Sequence, residues 1–429
     1  MKKIRFCIPA LLLAGKIFSQ GLSATEKQII LEVNKAMPAA VKLLETSVNI
    51  NSGTLNIEGV RKTGALFAKE FEKAGLQTTW INLPDSLKRA GHLVAYRKGK
   101  QGKKLFLIGH LDTVFEPDMP FTPFTMLNDS TATGQGANDM KGGDVVIITA
   151  LQVLEKLNLL QQTDITVYLT GDEEKSGRPT SVSRADFIER AKQADIALGF
   201  EGASGLQTIA TGRRGSSDWL LEVTAKTGHS AGVFGQGVGY GAIYEAARIV
   251  DRFRQSLSGE QYLTFNPGLI AGGSELDYDA AKASATALGK TNIISPKVVV
   301  TGDLRFLTEV QKENARKRMR AIADSSLNGT SAKITFHDGI PAMEPTNGNE
   351  QLRQVVDRIS NDMGIGPTRA GDPGSRGAGD ISYIAKYVDA IDGLGASGKG
   401  AHAAGETINL KQFPVLIQRA ALLIYRLTR

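Results

Sequence analysis

Cysteine is almost absent: the 429 residues hold one, Cys7. It falls in a segment read below as a leader. The mature chain would then have no thiol for a disulfide, a thiolate nucleophile or a zinc–cysteine site. Long apolar runs are missing too. After the N-terminus nothing approaches 18 consecutive apolar residues, so no transmembrane helix is expected. There is no fixed-period repeat, which argues against a solenoid. Nor is there a broad excess of one charge. Lys and Arg number 51 against 44 Asp and Glu, a net of +7. Four of those cations (Lys2, Lys3, Arg5, Lys16) lie in the first 21 residues, which hold no acidic residue. Beyond them the count is 47 against 44, so no nucleic-acid footprint is supported. Hydrophobic residues at 41% and charged residues at 22% are ordinary for a globular chain and exclude a mostly disordered one.

The N-terminus MKKIRFCIPALLLAGKIFSQG has a cationic start, an apolar stretch over residues 6–14, and then the small residues Ser19 and Gly21. Gly21 and Ser23 offer a second cleavage site. This is the pattern of a cleaved secretory signal, residues 1–21, and it implies a secreted or periplasmic protein. The apolar stretch is too short to span a bilayer, and Lys16 stands where a lipoprotein box would need cysteine, so no membrane anchor is expected.

The length suits two or three domains. Helices are expected over residues 24–48, 56–74 and 141–157, with strands over 77–82, 92–97, 104–110, 164–170 and 195–200. Strands alternating with helices imply an α/β layer: a mixed, mostly parallel sheet sandwiched by helices. From about residue 212 the order becomes β-α-β-β-α-β, the ferredoxin-like pattern. We therefore expect a catalytic domain over 25–211 and 340–429, interrupted by a smaller α+β lid or dimerisation domain over 212–339.

Candidate chemical groups gather where strands end. His110 and Asp112 close the run LFLIGHLD, and residues i and i+2 of a strand face the same way. Open α/β sheets bind ligands beyond the carboxyl ends of their strands, and a carboxylate often orients a metal-binding imidazole. Asp139 sits in the glycine-rich loop GANDMKGG, where an ordinary helix cap would read the same. Asp144 reads as a favourable first-turn charge. Asp172, Glu173 and Glu174 follow the next buried strand; a solvated acidic loop is the bland reading. Glu201 follows the third strand, and His402 lies in GKGAHAAGE. Two histidines and several carboxylates, without cysteine, suit zinc or a similar divalent ion. Five such ligands fit two ions sharing a carboxylate. The glycines of residues 237–242 fit a loosened dinucleotide-binding pattern, but they follow a long loop and are better explained as freeing a helix start.

The series GHLDTV, GANDMKGG, GDEEKSG, GFEGA and GKGAHAAGE resembles the zinc aminoacylase/carboxypeptidase family of metallopeptidases, and within it the secreted glutamate carboxypeptidases. The resemblance runs over nearly the whole mature chain. It implies two Zn2+ per subunit, with Co2+ or Mn2+ as substitutes. His110, Asp139 and Glu201 would hold one ion; Asp139, Glu174 and His402 would hold the other. Asp139 would be the bridge, followed by a cis peptide. Glu173 would be the general acid/base and Asp112 the carboxylate orienting His110. Glutamate at position 201 is the form more usual in the carboxypeptidase-like branch. The implied reaction is metal-assisted amide hydrolysis releasing a C-terminal amino acid, glutamate by preference.

The resemblance also assigns substrate contacts. His229 would reach the site of a partner subunit, and Asn292 and Arg305 would bind the free carboxylate, so a homodimer acting on a small peptide or N-acyl amino acid is implied. The stretch GDPGSRGAGD departs from the family's substrate loop in spacing; Arg376 within it is a further candidate contact. An N-acyl-amino-acid deacylase or dipeptidase would use the same chemistry. A periplasmic binding protein without catalysis is the alternative from another class, though it would not need a complete ligand set.

Overall fold

The computed structural model describes residues 21–429. Cys7 and the expected leader, apart from Gly21, lie outside the described residues. The first layer is a six-stranded sheet in the order Gln77–Ile81, His92–Arg97, Thr163–Thr170, Gln101–His110, Ile196–Gly199, Asp389–Ile391. The last four run parallel and the first two are antiparallel additions at one edge. This is the mixed, mostly parallel sheet expected. Leu105–His110 is buried throughout, whereas residues 101–104 are exposed. The run is a two-faced core strand only in its second half.

Helices cover both faces. Ala24–Val48, Lys141–Lys156 and Phe413–Leu427 pack on one side in a core with Val33, Leu44, Ile147, Leu151, Ile417 and Ile424. The first of these helices is fixed at its start by a reciprocal cap between Ser23 and Glu26, which satisfies otherwise orphaned backbone donors. Opposite, Phe106, Tyr168, Phe187 and Ile384 form a second cluster, with Phe187 edge-on to both Phe106 and Tyr168.

A second sheet has the order Thr264–Gly273, Lys297–Phe306, Gly215–Ala225, Thr330–Asp338, all antiparallel. Helices Gly241–Leu257 and Glu309–Asp324 bury Ile249, Phe253 and Met319 against Trp219, Leu221 and Val300 in its own core. The strand order is that of a ferredoxin-like unit. It carries one addition, a hairpin of Glu275–Asp279 and Ser284–Leu288. That hairpin is largely exposed, and its strands are only five residues each.

Candidate metal centre

Three neighbouring parallel strands deliver most of the site. Gln101–His110 ends on His110, Thr163–Thr170 leads into Asp172–Glu174, and Ile196–Gly199 leads into Glu201. Asp139 arrives from the loop that opens helix Lys141–Lys156, and the Asp139–Met140 peptide is cis. This helix start can lie against the strand ends because Gly143 has no side chain. A Cβ there would stand 2.1 Å from the Phe200 carbonyl oxygen, a contact no larger residue could make. His402 comes from far along the chain, on a loop residue with a left-handed φ of 66°.

The side chains converge. His110 Nε2 lies 3.2 Å from Asp139 Oδ1 and 3.7 Å from Glu201 Oε1. His402 Nε2 lies 3.1 Å from Asp139 Oδ2 and 3.1 Å from Glu174 Oε2. Asp139 thus turns one oxygen to each imidazole, as a bridging carboxylate would. Ligand atoms of His110, Asp139 and Glu174 fall within 4.8 Å of one another, and so do those of His110, Glu173 and Glu201. Glu173 therefore stands as close to the cluster as the expected ligands do.

The charges do not balance on their own. Burial, with Glu201 beside it, pushes the Glu173 carboxyl well up. Burial and the neighbouring Asp139 push Glu201 to about 7. Burial would raise Asp139 as well, but the His110 and His402 imidazoles hold it well below the usual range. His402 is pushed up to about 11 by its bonds to Asp139 and Glu174. One oxygen of Glu174, Oε1, is buried without a hydrogen-bond partner. Four carboxylates around two imidazoles, with an orphaned acceptor among them, repel one another unless cations lie between them. Oxygen and imidazole donors without sulfur fit divalent zinc, so this donor set suits the metals that the resemblance implies.

The supporting residues are less obvious from sequence. His110 Nδ1 lies 2.9 Å from the backbone carbonyl of Asp112 and 3.6 Å from its carboxylate. That carboxylate instead accepts the backbone N–H groups of Glu173 (3.0 Å) and Glu174 (3.1 Å) and the hydroxyl of Thr54 (2.6 Å). Asp112 thus fixes the Glu173–Glu174 turn as well as facing His110, and burial raises its carboxyl to about 7. Asp172 turns away from the cluster. It pairs with buried Arg184 at 2.5 Å, and Arg184 Nε donates to Asp380 at 2.7 Å. Asp144 lies in the first turn of its helix, as expected, but it meets no water. It is fully buried, neither oxygen has a hydrogen-bond partner, and burial raises its pKa strongly. Glu406 and Lys141, both buried, hold the loop that carries Asp139. The signal for both lay inside quoted motifs, as the glutamate four residues after His402 and the lysine two after Asp139.

The expected substrate contacts divide into two groups. Arg305 lines a cleft of about 870 Å³ between the two sheets' units, together with Glu173, Glu174, Arg178 and His337. Its Nε donates to Asp303 at 2.8 Å. Arg376 lines a second cavity, of about 390 Å³, with Asp139, Glu201, Ser204 and His402. Its guanidinium donates to the Gly202 carbonyl at 2.7 Å and the Ser204 hydroxyl at 3.3 Å. His229 and Asn292 are neighbours of each other, linked by Ser230 N–H donating to the Asn292 carbonyl at 2.9 Å. Both are exposed on the second unit, and neither lines the cavities that hold the carboxylate cluster.

A model of peptidase family M20/M25/M40 matches residues 106–426. The chain belongs to that family of metallopeptidases. It is 28% identical over 428 residues to carboxypeptidase G2 of Pseudomonas sp., covering 98% of this chain and 97% of that one. It is 24% identical to a succinyl-diaminopimelate desuccinylase of Magnetococcus marinus, covering 79% and 88%. Among solved structures, the aminopeptidase PepT of Bacillus cereus superposes with a TM-score of 0.75 at 17% identity, covering 92% of this chain and 99% of that one. An M20 family metallo-carboxypeptidase of Sulfolobus solfataricus gives 0.64 at 18% identity, covering 91% and 99%. Family membership removes the reading of a binding protein without catalysis.

Proposed function

We propose that the chain hydrolyses the amide bond before a C-terminal amino acid, with glutamate the preferred product. It would do so on two zinc ions, as a secreted or periplasmic homodimer. One observation carries the reading: Asp139 turns one oxygen to His110 and the other to His402, while Glu173 lines the cavities beside them. His110, Asp139 and Glu201 would hold one ion; Asp139, Glu174 and His402 would hold the other. The bound ions supply Lewis acidity toward a carbonyl oxygen and make a water acidic near neutral pH.

The remaining work falls to this chain's side chains. Glu173 takes a proton from the attacking water and later hands it to the departing amine nitrogen. Its burial raises its hold on that proton between the two steps, as a group serving both roles requires. Asp112 fixes the backbone of Glu173 and Glu174 through two N–H bonds, so base and ligand move as one. Arg305 faces the same cleft and would take the free carboxylate of the leaving amino acid in place of Asp303, a partner a guanidinium can hold bidentately. His229 and Asn292, remote from the cluster in their own subunit, would reach the cleft of a second copy. The second unit would then act as lid and dimerisation domain, over residues 212–339.

A specific observation favours a second reading, that of an N-acyl-amino-acid deacylase. The cavity beside Asp139 and Glu201 is lined by small and polar groups such as Gly202, Ala203, Ser204 and Asn138, with Arg376 and no Phe, Tyr or Trp. It suits a compact, polar or anionic acyl group better than an aromatic one.

One panel separates the readings. The zinc-loaded mature protein is offered benzoyl-glutamate, succinyl- and acetyl-amino acids and plain dipeptides, each with and without chelator. Chelator-sensitive release of glutamate from benzoyl-glutamate is the expected result. Turnover confined to succinyl or acetyl compounds would move the function to the second reading. Turnover unaffected by complete metal removal would overturn both.

A further inference from the structure

We propose that Glu406 is the positioning residue that sets the ligand geometry of Asp139, with Lys141 bracing the same loop from behind. The proposal rests on reading the carboxylate cluster as a metal centre. Glu406 is 1% exposed, and its carboxylate accepts three backbone N–H groups of one loop. Oε2 takes Gly136 at 2.9 Å, and Oε1 takes Asn138 at 2.7 Å and Asp139 at 2.8 Å. The Glu406 carbonyl oxygen accepts the Gly134 N–H at 3.2 Å and the Thr133 hydroxyl at 2.7 Å. Next along the chain, Thr407–Asn409 pairs with Thr131–Thr133. One residue thus binds the Asp139 loop along its length. Four residues upstream, the same segment carries His402, whose imidazole faces Asp139 Oδ2. Glu406 therefore ties together two loops, 267 residues apart at Asp139, that each supply a ligand.

Lys141 supports the loop from the other side. Its buried ammonium donates to the Ser47 carbonyl at 3.0 Å and the Ile50 carbonyl at 2.7 Å. These carbonyls lie at the end of helix Ala24–Val48, where the helix dipole favours a cation. Two buried charges of opposite sign clamp a loop that has no strand or helix of its own at Asp139. The clamp matters because Asp139 must present one oxygen to each imidazole at once. Metal ligands tolerate errors of only about 0.2 Å, and losing an outer partner of a ligand typically costs about 10–100-fold in affinity.

The test is zinc binding, measured apart from turnover. Metal-free parent and Glu406→Gln proteins are titrated with Zn2+ against a chromogenic chelator, and both metal-free proteins are melted. Glutamine keeps the size but turns an N–H2 toward a backbone N–H. The parent is expected to take two equivalents. Glu406→Gln is expected to bind about 10–100-fold more weakly, to melt close to the parent when metal-free, and to regain most of its kcat at saturating zinc. Glu406→Asp keeps the charge but draws it back by one methylene, and should lose affinity in the same direction. Parent-like zinc affinity in either folded variant overturns the proposal. So does a metal-free melting point lowered by as much as the zinc-loaded one, which would make Glu406 a residue of the fold alone. A parent that takes up no zinc would instead sink the reading of the centre itself.

Discussion

Glu173, half-buried, and Asp144, fully buried, both have raised pKa values, and of the two Glu173 faces a cavity. For Glu173→Gln we expect two zinc equivalents to remain bound and kcat to fall about 10²–10⁴-fold, the usual worth of a general base. Near-normal kcat with the metal retained would remove that role. Asp144 gives a stability prediction. Its folded pKa lies above the unfolded value of about 3.9, so the folded state binds more protons and stability declines as pH rises above that value. Asp144→Asn should raise the melting temperature at neutral pH and flatten its fall between about pH 4 and 7; an unchanged slope would show that the carboxyl is satisfied. A Cβ on Gly109 would meet Asp144 Oδ1 at 2.2 Å, so the site has no room to relax around that charge. At this scale the sequence showed the groups that lie at strand ends in short motifs: His110, Asp139, Glu173, Glu174, Glu201 and His402. It did not show what Glu406, Lys141 or Arg184 bind, because those bonds reach backbone or side chains distant in sequence and leave no local pattern.

Among the elements, helix Lys141–Lys156 is the one on which the centre leans. Its glycine at position 143 lies against the carbonyl of Phe200, next to Glu201. Gly143→Ala would push the Asp139 loop and the Glu201 strand end apart. The expected cost is about 1–3 kcal/mol by urea unfolding, as for overpacking generally, with weaker zinc binding as a second readout. An unperturbed variant would mean that the helix start can shift without the site. Elements with strong periodicity were legible nearly to the residue. The helix Ala24–Val48 matched its expected bounds, since a capping box and an apolar stripe both mark it. The short strands Thr131–Thr133 and Thr407–Asn409 were not legible, being too brief to show a period. Yet these bring His402 back to Asp139. Sequence thus disclosed the scaffold of the centre better than the seam that closes it.

At the level of the whole molecule, the cleft proposed to take the substrate draws its lining from two units. Arg305 belongs to the antiparallel sheet, whereas Glu173 belongs to the parallel one. Arg305→Lys should raise KM for an acyl-glutamate about 10-fold or more while kcat changes little, if the guanidinium only holds the carboxylate; a loss confined to kcat would argue that it aligns the scissile bond instead.

The connectivity of the two cores has a further consequence for how the molecule comes into being. The antiparallel unit closes its core from one continuous stretch between Trp219 and Ala342. The parallel layer needs both Ala24–Val48 and Phe413–Leu427, which pack against each other and against Lys141–Lys156. On a chain emerging from the ribosome, the middle can be finished while the segment up to residue 211 still awaits its last helix. His402, delivered just ahead of that helix, arrives after every other ligand. We expect residues 212–342 expressed alone to give a cooperative melt and residues 22–211 alone to give none. The enzyme would then stay inert, and its larger unit unfolded, until helix Phe413–Leu427 has been made.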